Sequence, residues 1–159
     1  MAVDAFLKMT DVKGDSAVKG HVDEIQISGW SWGARQTGTM HEAKGGGAGK
    51  ADVDNIVIDK VMDKSSPTLL AGCCKGKHYD EAVLTMRKAG DDPLDYLTIT
   101  MTGVLVSGIS FMSREDGEVV HETLTLNFKK FKVSYQPQND KGAKEGGKVD
   151  AEYDIAANA

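Results

Sequence analysis

Residues 118–136 read EVVHETLTLNFKKFKVSYQ, and the phase of their alternation decides the fold. Leu124, Leu126 and Phe128 share one face of an extended strand. Phe131, Val133 and Tyr135 share a face of opposite parity, with the slip at Lys129–Lys130. A strand that moves its apolar residues from one face to the other needs a bulge or bend. Such bends let one strand serve both sides of a small closed barrel. The same stretch holds Phe128-Lys129-Lys130-Phe131-Lys132, which is basic and aromatic. Within an amphipathic strand these lysines read as solvated side chains guarding an edge, not as nucleic-acid contacts.

Outside this strand the β rhythm continues. Ala2–Met9 reads as a first strand and Asp11–Gly20 as a turn-rich loop. Glu24–Gly33 is a second strand, with Trp30 and Trp32 on one face and Ser31 on the other. Thr37–Lys50 is a flexible, glycine-rich loop. Asp52–Met62 carries apolar residues at both parities, Val53, Val57 and Val61 against Ile56 and Ile58. Burial on both faces predicts a buried strand or one face given to a neighbouring subunit, which makes the three valines a candidate interface. The one convincing helix has Ser66 as N-cap, Pro67 in its first turn, Leu69, Leu70 and Cys73 to one side, and Gly76 as its stop.

Further strands run over Tyr79–Lys88, Leu94–Thr102 and Val104–Met112, with bends expected at Gly103 and Gly108. After Pro137 the chain is polar to Gly147, and a short extended segment resumes over Val149–Ile155. The predicted architecture is mainly β. It is a single domain over residues 1–159, a compact β-barrel of two packed sheets with one short flanking α-helix, and segments 37–50 and 138–148 flexible.

Composition narrows the function. Asp and Glu number 24 against 19 Lys and Arg, a net charge of -5 that argues against non-specific nucleic-acid binding. Met1–Met9 contains Asp4 and lacks both a basic opening and a long apolar core, so no Sec signal peptide and folding in the cytoplasm are expected. No apolar run reaches membrane-spanning length. The only two cysteines, Cys73 and Cys74, are adjacent and read as reduced thiols.

Chemistry is hard to find in the motifs. Gly45-Gly46-Gly47-Ala48-Gly49-Lys50 invites comparison with a phosphate-binding loop, but Lys44 stands where the first glycine belongs and Ala51 where a hydroxyl belongs. The four histidines, His21, His41, His78 and His121, are scattered, with no His-Glu-x-x-His pair. His78-Tyr79-Asp80-Glu81 offers a base with carboxylates and no preorganised nucleophile, and no Gly-x-Ser-x-Gly elbow exists. Neither an enzyme, a metal site nor a cofactor is expected.

Several segments, in order and spacing, resemble the hemolysin-coregulated protein (Hcp) family, which forms the inner tube of type VI secretion systems. They are Met1-Ala2-Val3-Asp4, Trp30-Ser31-Trp32-Gly33, His41 to Lys50, Lys60 to Pro67, Gly76-Lys77-His78-Tyr79, Arg87-Lys88-Ala89-Gly90, Thr125-Leu126-Asn127-Phe128 and Tyr135-Gln136-Pro137-Gln138. The resemblance implies a barrel similar to phage tail-tube proteins and a homo-hexameric ring that stacks into a hollow tube. It implies sheath, spike and baseplate proteins as partners, small secreted effectors as lumen cargo, and release from the cell without a cleavable signal. It also implies a lumen-facing Ser31, and an inter-ring or inter-subunit loop formed by His41, Gly45, Gly46, Gly47, Gly49 and Lys50. The competing expectation is a monomeric β-barrel binding module that presents Trp30, Trp32 or the glycine-rich loop to a glycan or protein. A small hydrolase built on His78 comes after it.

Overall fold

The computed structural model describes residues 3–41 and 46–159. The chain opens with β1 (Val3–Met9), β2 (Ile25–Ile27) and β3 (Gly29–Ser31). A ribbon of β4 (Ala34–Gly38) and β5 (Ala48–Val53) comes next, followed by β6 (Ile56–Val61) and α1 (Ser66–Lys75). Then come β7 (His78–Lys88), two long strands β8 (Leu94–Ser113) and β9 (Val120–Tyr135), and finally β10 (Val149–Asp154).

The main sheet runs β2-β1-β7-β8-β9-β6-β3, with β10 also pairing β9, while β4 and β5 form a separate two-stranded sheet. Its two end strands, β2 and β3, are consecutive in sequence and separated by Ser28 alone. One extended segment therefore pairs with β1 before Ser28 and with β6 after it, and the Ser28 amide donates to the Asp59 carbonyl at 2.8 Å. The expected single strand over 24–33 thus serves two partners and draws the sheet into a near-closed barrel, which removes most free edges. Leu7, Ile25, Ile58, Leu84, Met101 and Leu124 fill its interior and are fully buried.

The predicted phase change is present and is matched on the neighbouring strand. On β9, Leu124, Leu126 and Phe128 are buried, after which Phe131 and Val133 pack against the same core. On β8, Ile99 and Met101 are buried on one parity and Val104 and Val106 on the other. The register pairs Thr102 with Lys130 and Val104 with Phe128, so both strands switch at the level of Gly103 and Lys129. Gly103 has φ 66°, and a Cβ there would lie 2.8 Å from Lys129 Cδ. One continuous β8 replaces the two strands expected on either side of this glycine, because the bend is absorbed without ending the ladder. The first half of β9 pairs with β6 and the second half with β10.

Two further expectations are corrected. The 37–50 stretch is not all loop, since its ends belong to the β4–β5 ribbon, in which Gln36 pairs with Ala51. The strand expected over 52–62 is two strands, because the chain turns at Asp54–Asn55. In α1 the N-cap is Ser65 rather than Ser66, Leu70 is exposed, and Gly76 caps the C-terminus with φ 63° as expected. A Cβ at Gly72 would collide with the Tyr79 hydroxyl, so glycine is what lets the helix lie this close to β7. That hydroxyl is buried without a hydrogen-bond partner among the described residues, and burial raises its pKa.

Candidate functional site

The sequence-derived candidates fall on three surfaces. Ser31 is directly opposite Val57 across the β3–β6 pair, while Trp30 opposite Ile58 points inward. Alternation then aligns Val57 with Thr125 on β9, Asp59 with Thr123, and Val61 with His121 and, beyond it, Met112 on β8. This outer face is polar and small near Ser31, where Thr123 Oγ1 donates to Asp59 Oδ1 at 3.2 Å. It becomes apolar toward the β8–β9 turn, where Val61, Met62, Met112 and Val119 are all exposed.

Val53 does not share this face. It pairs with Ala34 in the ribbon and packs against the core. The three-valine stripe read from one strand is therefore divided by the turn at Asp54–Asn55. Both tryptophans are half-buried against the core. Trp30 Nε1 points at Met86 Sδ at 3.1 Å, and Trp32 Nε1 donates to the Asp54 carbonyl at 2.9 Å. Trp32 meets Phe131 edge-on, with ring centroids 4.8 Å apart. Between these inward aromatics Lys129, Lys130 and Lys132 are exposed, so the basic–aromatic run is an amphipathic strand.

The ribbon forms the second surface. All five residues of β4 are exposed. Arg35 reaches Asp54 at 2.7 Å and Asp52 at 3.3 Å, and both carboxylates hold its guanidinium pKa above the ordinary value. Thr39 and Gly47 close the ribbon through two side-chain hydrogen bonds. His41 is exposed beyond that closure, and Gly46, Gly47, Gly49 and Lys50 lead into or lie in β5, a strand and not the helix that a phosphate loop requires. Glu42, Lys44 and Gly45 lie outside the described residues.

Two buried polar clusters escaped the sequence reading. Lys60 and Glu122 face each other across β6 and β9 with Nζ–Oε2 at 3.0 Å, both side chains wholly buried. The contact is ionic rather than a well-directed hydrogen bond, since Oε2 has no hydrogen-bond donor among the described residues. Lys60 also donates to Asp63 Oδ1 and to Ser66 Oγ, each at 3.1 Å, and Ser66 donates to Glu122. The cluster ties the first turn of α1 to the barrel wall. In the second cluster the buried His21 ring lies between Glu24 and Asp95. Burial pushes the Asp95 carboxyl up, but hydrogen bonds from Arg87 and His21 outweigh it and hold its pKa below the usual carboxylate value. Lys60 and Glu122 had a signal, their parity with Ile56, Ile58, Leu124 and Leu126. His21, in a loop, had none.

His78 is exposed at the start of β7, and Cys73 and Cys74 are free, Cys74 on the surface. Among the described residues no group of three or more His, Cys, Asp or Glu is arranged to hold a metal ion, and no helix is long and apolar enough to cross a membrane.

Comparison with known proteins agrees with the geometry. The family model "Type VI secretion system effector, Hcp" matches residues 6–135. The chain is 47% identical over 159 residues to Protein hcp1 of Pseudomonas aeruginosa, covering 99% of this chain and 98% of that protein. Among solved structures, Hcp1 from Salmonella typhimurium is 38% identical with a TM-score of 0.82, covering 99% of this chain and 98% of that one. A structure described as a type six secretion system protein is 25% identical with a TM-score of 0.92, covering 99% of both chains.

Proposed function

The chain belongs to the Hcp family of type VI secretion tube proteins, and from that premise we propose that it forms, as one domain over residues 1–159, hexameric rings that stack into a hollow tube. The observation that carries this reading is the outer face of β3, β6, β9 and β8, which is lined by half-buried and exposed residues and changes from small and polar to apolar along its length. Ser31 and Val57 are neighbours on it, so both belong to the lumen wall, where small secreted effectors are held and protected. Val61, with Met62, Met112 and Val119, supplies the apolar seam against the next copy. Repetition of one such heterologous contact closes a ring. Val53 supports the ribbon from the core side.

The exposed β4–β5 ribbon is the second support. An isolated two-stranded ribbon is marginal in water, and this one gains by lying against another chain. It reaches a neighbouring subunit or ring through His41, Gly45, Gly46, Gly47, Gly49 and Lys50. Sheath, spike and baseplate proteins are the further partners. The protein is made in the cytoplasm and leaves the cell through the apparatus. The inward packing of Trp30 and Trp32 leaves the monomeric glycan-binding reading without its aromatic platform.

The test is absolute mass by light scattering on a sizing column. A species six times the mass of the chain supports the ring, and a monomer at every concentration overturns it.

A further inference from the structure

The helix α1 and the start of β7 frame a groove of about 420 Å³. Pro67, Thr68, Ala71 and Gly72 form its helix wall, small side chains repeated one turn apart. Lys75 and Lys77 line it as well and are exposed. Tyr79 contributes from β7 and is only 3% exposed.

Two features of this groove serve nothing within the chain. The first is the Tyr79 hydroxyl, which ends beneath Gly72 and has no hydrogen-bond partner among the described residues. A buried hydroxyl without a partner is destabilising, and phenylalanine would fill the same space without that cost. Burial holds its pKa above the ordinary value, so the phenol keeps its proton and can donate. The second feature is charge. Residues 64–79 carry Lys64, Lys75 and Lys77 and no Asp or Glu, in a chain of net charge -5. Lys64 lies 3.9 Å from Asp23, whereas Lys75 and Lys77 enter no ion pair among the described residues. Lys77 Nζ stands 5.1 Å from the centre of the Tyr79 ring, which brings its ammonium over the phenol that lines the groove.

We propose that this groove binds an acidic segment of a partner protein, with one carboxylate seated between Lys75 and Lys77 and accepting a hydrogen bond from the Tyr79 hydroxyl. A carboxylate has acceptor sites enough for both ammoniums and the phenol, and charge-assisted bonds of this kind are strong. Thr68 also lines a second hollow with Lys13 and Lys64, where Asp11 is the one acid. The basic surface therefore continues past the first turn of α1, which suits a segment with several acids better than a small free anion. None of these residues lies on the lumen wall or in the apolar seam, so the groove does not depend on the assembly proposed above.

Amide resonances of the full-length protein, titrated separately with acetylated hexaglutamate, hexalysine and sodium acetate, test the groove. Hexaglutamate should shift residues 66–79, and the other two should not. Lys75→Gln with Lys77→Gln should weaken binding by about tenfold. Lys130→Gln with Lys132→Gln removes the same charge from β9 and should leave binding unchanged. Tyr79→Phe should raise the thermal midpoint, because the unpaired hydroxyl is gone, and yet weaken binding about fivefold. A rise in stability with binding unchanged overturns the proposal. So do equal losses in the two lysine pairs, no shift over residues 66–79, or shifts from acetate as large as those from hexaglutamate.

Discussion

Lys60 and Glu122 are the residues whose individual chemistry matters most to this barrel. Each sits on the apolar parity of its strand and neither side chain reaches solvent. A buried ion pair of this kind contributes little relative to apolar residues of the same size, but removing one partner strands the other charge. Lys60→Met should therefore destabilise the protein by about 3–5 kcal/mol in urea unfolding. The double variant Lys60→Met with Glu122→Met should recover most of that loss. Equal stability of the single and double variants would show that Asp63 and Ser66 alone govern the site. Ser66 gives the cluster its connection to α1, accepting from Lys60 and donating to Glu122 in place of the N-cap role that its position suggested.

Among the elements, β8 and β9 organise the rest. They change inward parity together, and Gly103 opposite Lys129 is where they do so. Alanine at Gly103 would meet both a left-handed backbone and the Lys129 side chain, and should cost about 1–3 kcal/mol. Gly108 marks the second expected bend, a one-residue register shift between Val106 and Gly108, but its own geometry does not demand glycine. It has no positive φ, and a Cβ there would sit 3.5 Å from Thr125, an ordinary contact. Gly108→Ala should leave the thermal midpoint nearly unchanged, and a similar loss in both variants would refute the assignment of the bend to Gly103.

For the whole molecule, the decisive feature is that β2 and β3 close the sheet through Ser28, leaving one broad outer face and a projecting ribbon. Val57 and Val61 share that face but have different surroundings. Val57 stands beside Ser31, and Val61 beside exposed methionines. Val61→Asp should release monomers, because an unpaired carboxylate in an apolar seam is costly. In the ring proposed above, Val57→Asp should keep the assembled mass and change only what the lumen retains. Light scattering separates the two, and the reverse outcome would exchange lumen and seam.

Much of this architecture was legible in local pattern. Alternation revealed the slip at Lys129–Lys130 and put Trp30 and Trp32 on the face opposite Ser31, because side-chain direction in a strand follows from period two. Gly76 announced the end of α1 by its conformational freedom, and the absence of clustered histidines and cysteines left no metal motif to follow. Parity read from sequence holds only within an unbroken strand, however. The break at Asp54–Asn55, two residues that favour turns over strands, separated Val53 from Val57 and Val61, and the apolar residues on both sides of it masked that signal. That Ser28 divides one extended segment between β1 and β6 was likewise a tertiary decision, since partner choice is set by backbone groups that every residue carries alike. The two charged clusters depended on it further. Lys60 meets Glu122, and His21 meets Asp95, only after distant strands have paired, and it is that pairing that gives a lone charge a buried partner.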